Sequence, residues 1–161
     1  MTTSSSRISR APAYSRVEMT QIVLPGDANA LGTAFGGRVM QWVDIAAAVA
    51  ARRHSGGVAV TASIDSLQFV HPVRIGDVIV LQSLVNRAWR TSMEVGVRVE
   101  CEEEGDHERA FHAATAYLTF VAVDHQGKPR EVPQIAPESD EDRRRYDEAA
   151  RRREMRLGER A

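Results

Sequence analysis

The chain of 161 residues has one cysteine, few aromatic residues and a net charge of only -1. Each shortage excludes something. With Cys101 alone, no intramolecular disulfide can form, and a reducing compartment, the cytoplasm, suits the chain. Cys101 also lies within an alternating, strand-like stretch, which favours a structural thiol over a nucleophile. Lys128 is the only lysine and sits in the turn-like HQGKPR, so Schiff-base chemistry, which needs a desolvated amine, is not expected. The near-neutral charge gives no global pull toward nucleic acid or anionic lipid. The longest apolar run is broken by Asp44 and ended by Arg52 and Arg53, so no stable membrane insertion is expected.

Motifs are missing too. There is no Gly-x-Ser-x-Gly elbow, no phosphate loop and no dinucleotide fingerprint. The histidines (His54, His71, His107, His112 and His125) fall at no metal-ligand spacing, so no metal and no resident cofactor are expected.

The length suits one domain with a sizeable core. Residues 1–13, MTTSSSRISRAPA, carry no apolar segment and read as a disordered leader. A short strand is expected in SRVEMTQIVLP, and PGDANALG reads as a loop. A helix is expected over residues 36–53, closed by HSGG, where glycine suits a C-terminal cap. Beyond it the period changes to two. VAVTASIDSLQFV, DVIVLQSLVNRAW, SMEVGVRVECEE and RAFHAATAYLTFVAVD alternate as strands, separated by a turn HPVRIGD, a junction near ArgThrSer and a loop EEGDHE. Connections of hairpin length pair strands antiparallel, so the expected class is α+β, with about five strands and one helix lying on a curved sheet. A single helix leaves sheet edges and apolar surface uncovered, which points to dimerisation. The tail, residues 137–161, alternates acidic and basic blocks and reads as an exposed helix with i,i+4 ion pairs.

One stretch carries chemistry. In FGGRVMQWVDIAAAVAA, Arg38, Gln41 and Asp44 follow at intervals of three, as in a solvated stripe, but Ala48 and Ala51 continue it. Asp44 therefore marks the border between exposed surface and a face of small residues. A partly desolvated carboxylate there suits a general base or a nucleophile. The first-turn amides around Gly36 and Gly37 lack helical acceptors and have no side chain in front of them, which suits an oxyanion. Eight residues separate Gly36 from Asp44, about 12 Å along a helix. One carbonyl cannot reach both on the same helix. Two antiparallel copies in a dimer would bring Asp44 of one to Gly36 of the other.

The segment NALGTAFGGRVMQWVDIAAA (29–48) satisfies Asn-x-x-Gly-x-x-Phe-Gly-Gly-x-x-Met-x-x-x-Asp, and VTASID (60–65), FVHPVRIGD (69–77) and AVDHQGKPR (122–130) accompany it. Together they resemble the hotdog-fold acyl-CoA thioesterases, specifically the small bacterial acyl-CoA hydrolases and the brain-type acyl-CoA hydrolase group. The likeness spans about residues 15–135. It departs at His71, where relatives often carry arginine. The resemblance implies a hotdog fold, an antiparallel sheet wrapped around one long central helix, over residues 14–136. It implies dimers within tetramers or hexamers and hydrolysis of fatty acyl-CoA, with CoA entering as part of the substrate. It assigns Asp44 as the carboxylate, Asn29 as its partner, and the amides at Gly36 and Gly37 to the thioester carbonyl.

Coenzyme A carries phosphates, for which Arg87, Arg90, Thr91 and Ser92 form a candidate binding cluster at one strand junction. Two other functions stay open at this point: an acyl-CoA sensor or scaffold without catalysis, and a hotdog enoyl-CoA hydratase or dehydratase using His71.

Overall fold

The computed structural model describes residues 8–160. Strand β2 (Val17–Ile22) precedes a long helix α1 (Gly36–Ser55), and four long strands follow: β3 (Ala59–Phe69), β4 (Val78–Ala88), β5 (Ser92–Glu103) and β6 (Asp106–Ala122). They form one antiparallel sheet in the order β2-β4-β5-β6-β3, and α1 lies across its inner face. This is the α+β arrangement expected, with the hotdog's sheet around a central helix.

The sequence builds α1 as a helix meant to come close. Val39, Val43, Ala46, Ala47, Ala50 and Ala51 recur at helical spacing and are buried. Alanine has the highest helix propensity and keeps the backbone near its neighbour. The approach is close enough for Ser83 Oγ on β4 to donate to the Ala46 carbonyl at 2.8 Å. Facing the helix are Ile79 and Leu81 of β4, Met93, Val95, Val97 and Val99 of β5, and Leu118 and Phe120 of β6, all buried. At the far end Gly56 adopts φ 74° and its N–H closes on the Arg52 carbonyl, the left-handed cap that HSGG signals.

The connection HPVRIGD differs from the turn expected. β3 pairs with β6 and not with β4, so residues 70–77 cross from one edge of the sheet to the strand next to its opposite edge. On the way they brace the helix start, through Ala34 N–H to the Val73 carbonyl at 2.7 Å and Ile75 N–H to the Gly32 carbonyl at 3.0 Å. Hairpin length alone does not distinguish a hairpin from such a crossover. The loop EEGDHE is also shorter than expected, because β6 already begins at Asp106 after a turn at Gly105, φ 83°.

Two further differences concern the ends. The leader's residues 1–7 lie outside the described residues, but residues 9–10, expected to be disordered, form β1 (Ser9–Arg10) beside β7 (Gln134–Ile135). Arg10 Nη1 fixes this ribbon to the end of α1 by donating to the His54 carbonyl at 2.5 Å. The tail forms helix α2 (Asp140–Gly158), opened by Ser139, whose hydroxyl accepts from Asp142 N–H at 3.0 Å. It bears the expected ion pairs, such as Arg144–Glu148, yet it also packs on the outer face of the sheet. Arg152 Nη2 reaches the fully buried Glu94 of β5 at 2.7 Å.

Candidate active site

Helix α1 carries both halves of the candidate chemistry. It starts without a side-chain cap and without an acidic residue in its first turn. The Arg38 and Val39 N–H groups close on the Phe35 carbonyl, and the N–H groups of Gly36 and Gly37 precede the helical ladder. A Cβ added at Gly37 would meet nothing within 4 Å, and one added at Gly36 would lie 3.7 Å from the Phe69 ring, so the backbone at the helix start is not crowded. Beside it a cavity of about 360 Å³ is lined by Thr33, Gly36, Val39, Phe69, His71 and Val73.

Asn29 organises the loop leading into that helix. Its Oδ1 accepts from Leu31 N–H at 2.9 Å and Thr33 N–H at 3.3 Å, and its Nδ2 donates to Thr33 Oγ1 at 2.9 Å. This is the Asx-turn behaviour typical of asparagine in loops, and it leaves one amide hydrogen available to a ligand. The loop is tied to α1 by the Arg38–Asp27 ion pair at 3.0 Å, so Arg38 is not simply a solvated stripe residue.

Asp44 lies two turns along α1, half-buried, and its Oδ1 accepts from Thr61 Oγ1 of β3 at 2.6 Å. Sequence reasoning missed Thr61. VTASID was noticed as a segment, and only the α1–β3 packing reveals which of its hydroxyls meets the carboxylate. A carboxylate held this way can take a proton from water or attack an electrophile.

The described residues of one chain do not bring Asp44 to Gly36 and Gly37, since all belong to one straight helix. The face around Asp44 is apolar and uncovered, with Met40, Ile45 and Val49 of α1 and Ile64 of β3 exposed.

The proposed nucleotide contacts lie elsewhere. The β4–β5 hairpin sits at the other end of α1, where Val132 N–H bonds the Arg90 carbonyl and Arg130 bonds the Ser55 carbonyl. Arg87 lies over the Tyr146 ring at 3.9 Å, and Ser92 Oγ accepts from Arg153. Arg90 is exposed and Thr91 half-buried. His71 packs against Phe111 with the rings tilted by 54° and 4.3 Å between ring centres, and Cys101 is buried, its thiol pushed up to about 12 by burial first and by Asp77 second. Among the described residues no group of acidic, histidine or cysteine side chains is arranged to hold a metal, and no helix is long and apolar enough to cross a membrane.

A family model described as the Thioesterase superfamily matches residues 31–107. An acyl-CoA thioester hydrolase of Bacillus subtilis, itself uncharacterized, is 43% identical over 128 residues, covering 80% of this chain and 74% of its own. Acyl-coenzyme A thioesterase 11 of Mus musculus is 39% identical over 88% of this chain, which spans only 24% of that protein. Among solved structures, an apo-hexameric acyl-CoA thioesterase superposes with a TM-score of 0.90 at 41% identity, covering 96% of this chain and 98% of that one. The acyl-CoA hydrolase of Staphylococcus aureus, solved with butyryl-CoA, CoA and CoA disulfide, gives a TM-score of 0.88 at 38% identity, covering 94% and 92%.

Proposed function

The chain belongs to the thioesterase superfamily, and from that premise we propose that it hydrolyses acyl-CoA thioesters to a free fatty acid and CoA. The observation that carries the reading is Asp44, a half-buried carboxylate held by Thr61, bordering an uncovered apolar face on a helix that begins with bare amides. A second copy of the chain laid antiparallel on that face brings Asp44 of one to Gly36 and Gly37 of the other. The site is then shared, and the dimer is the unit of catalysis. Assembly of such dimers into a hexamer follows the form named for one structural neighbour.

In this reading the thioester oxygen sits on the Gly36 and Gly37 amides, where charge develops as the carbonyl carbon is attacked. Asp44 accepts a proton from the attacking water, or attacks first and is released by water. The C–S bond breaks, the CoA thiolate leaves and takes up a proton, and the acid remains. Thr61 holds the carboxylate in line, and Asn29 orients water or the carbonyl through its remaining amide hydrogen. Weak carbonyl resonance and a good thiolate leaving group mean that the reaction calls for no resident cofactor. The phosphates of CoA go to Arg87, Arg90, Thr91 and Ser92, supplied by a different subunit from the one that offers its helix start. Domain limits of 14–136 for the catalytic unit and a cytoplasmic location complete the reading.

The measurement is turnover of butyryl-CoA with a thiol-trapping reagent. Asp44→Asn is expected to lower kcat about a hundredfold or more in a folded protein. Mixed dimers of an Asp44→Asn chain with an Asn29→Ala chain regain part of the activity, because one of their two sites is intact. Wild-type turnover by Asp44→Asn removes the carboxylate from the reaction, and mixed dimers without recovery remove the division between chains.

A further inference from the structure

Helix α2 has no part in the site as described, yet one of its arginines reaches the strand that carries Thr61. β3 is an edge strand, paired only with β6, and its register slips twice, between Thr61 and Ser63 and between Ile64 and Ser66. Each slip inserts one β3 residue with nothing opposite, first Ala62 and then Asp65. One bulge alone would reverse the inward and outward alternation of every residue beyond it, and the second restores it. The pair also translates Thr61. It lies opposite Phe120, whereas the register at Phe69↔Ala114, continued without slips, would set it opposite Ala122. That is a displacement of two residues, about 7 Å along the strand. The 2.6 Å contact between Thr61 and Asp44 therefore depends on both bulges.

The extra residue of the second bulge is held from outside the sheet. Asp65 Oδ2 accepts from Arg156 Nη1 at 2.7 Å and from Thr119 Oγ1 at 3.2 Å, and Asp65 Oδ1 accepts from Ser63 Oγ at 3.0 Å. Arg156 Nη1 also donates to Thr119 Oγ1 at 2.9 Å. The ion pair is largely desolvated, with the Arg156 and Asp65 side chains 14% and 10% exposed, and it spans two elements 91 residues apart. Ser63 lies between the two slips, so the network grips both.

We propose that Arg156 is a positioning residue for hydrolysis: by pinning the bulge at Asp65 it sets Thr61, and through Thr61 the Asp44 carboxylate, from the opposite face of the sheet. The inference rests on the roles given above to Asp44 and Thr61.

A double-mutant cycle on the full chain tests it, with butyryl-CoA as probe. Arg156→Gln lowers kcat about tenfold or more and leaves KM within about twofold, as expected for a misplaced group that reacts and does not bind. In a Thr61→Ala background the same change costs little further, because the two act in series. Arg156→Lys recovers part of kcat, since one charged donor suffices for a contact made through Nη1 alone. Arg152→Met loosens the same helix through Glu94 without touching β3, and it keeps kcat within about twofold below its melting temperature. Should Arg156→Gln fail to fold, Thr119→Val removes one hydroxyl of the network and enters the same cycle. An undiminished loss in the Thr61→Ala background, or an equal loss of kcat in Arg152→Met, overturns the proposal. Those outcomes are separate from failure of the hydrolase reading, which would appear as a wild-type protein without turnover or as full activity in Asp44→Asn.

Discussion

Helix α1 meets the inner face of the sheet through Ala46, Ala47, Ala50 and Ala51, none with any accessible surface. Helix α2 meets the outer face with a single buried residue, Ala149, and a row of guanidinium groups. Arg152 pairs with Glu94 and lies over the Tyr117 ring at 3.6 Å, Arg153 lies over Trp89 at 4.4 Å, and Arg156 holds Asp65. Arg87 of the sheet returns the contact to Tyr146. One face is thus held by burial and close packing, which no single side chain dominates. The other is held by a few desolvated ionic contacts, each vulnerable to the loss of one partner. The difference explains how α2 can place a strand on its far side: an ion pair has direction and fixed partners, and a stripe of alanines has neither.

The sharpest way to break this contrast is Arg152→Met. Glu94 is fully buried, and its carboxylate would keep only the Asn86 amide, which donates to Oε1 at 3.1 Å. Burial works most strongly against the Arg152 charge, but the hydrogen bonds and charge of Glu94, helped by Tyr117 and Glu148, together outweigh it and raise the affinity of the guanidinium for its proton. Stranding a buried carboxylate costs about 3–5 kcal/mol, read as a fall in the urea midpoint. Adding Glu94→Leu to Arg152→Met recovers most of the loss, because two apolar groups of similar volume need no partner. A double variant as unstable as the single one would show that α2 is held by something other than this pair.

A smaller effect sharpens the comparison at the C-terminal end of α1, where the packed helix does bury a titratable group. His54 is fully buried, its Nε2 bonded to the Pro133 carbonyl at 2.8 Å, and its Nδ1 has no partner among the described residues. Burial, and secondarily the Arg10 guanidinium, push its affinity for a proton below the ordinary value of 6.5, against an opposing pull from the Pro133 bond. The unfolded chain therefore binds the proton first as pH falls. The contribution of neutral His54 is complete above about 6.5 and is lost progressively below it, with a slope of at most about 1.4 kcal/mol per pH unit. Denaturation at pH 7 and pH 5 should show the loss in the wild type and a smaller one in His54→Phe. Equal pH dependence in both would assign the effect to other groups.

How much of this was legible in the sequence follows the same division. The inner face announced itself, because apolar periodicity and a glycine cap are local signals, and α1 came within two residues of its expected end. The motif from Asn29 to Asp44 is local too, and it marked the candidate site residues, Asn29 through the family resemblance alone. What stayed hidden was non-local. Thr61 looked like any alternating strand residue until two bulges set its register against β6. The ends of the chain looked polar and loose, since neither the pairing of Ser9 and Arg10 with residues 134–135 nor that of Arg152 with Glu94 has a sequence signature. The crossover after Phe69 was hidden because strand order is a property of the whole sheet.

The smallest expected effect tests whether desolvation, and not charge alone, distinguishes the arginines of α2. Arg144 makes more hydrogen bonds than Arg156, two to Glu141 and two to Glu148, and it holds the Glu141 carboxyl below its usual range. Yet Arg144 lies in solvent, about half of its side chain exposed at 53%. Exposed pairs gain little, because water already solvates both charges and salt screens what remains. Arg144→Ala should therefore leave the thermal midpoint, kcat and KM unchanged at low and high salt alike. A fall comparable to that of Arg152→Met would mean that the helix is held by its charge balance as a whole, and the distinction between its buried and exposed arginines would not stand.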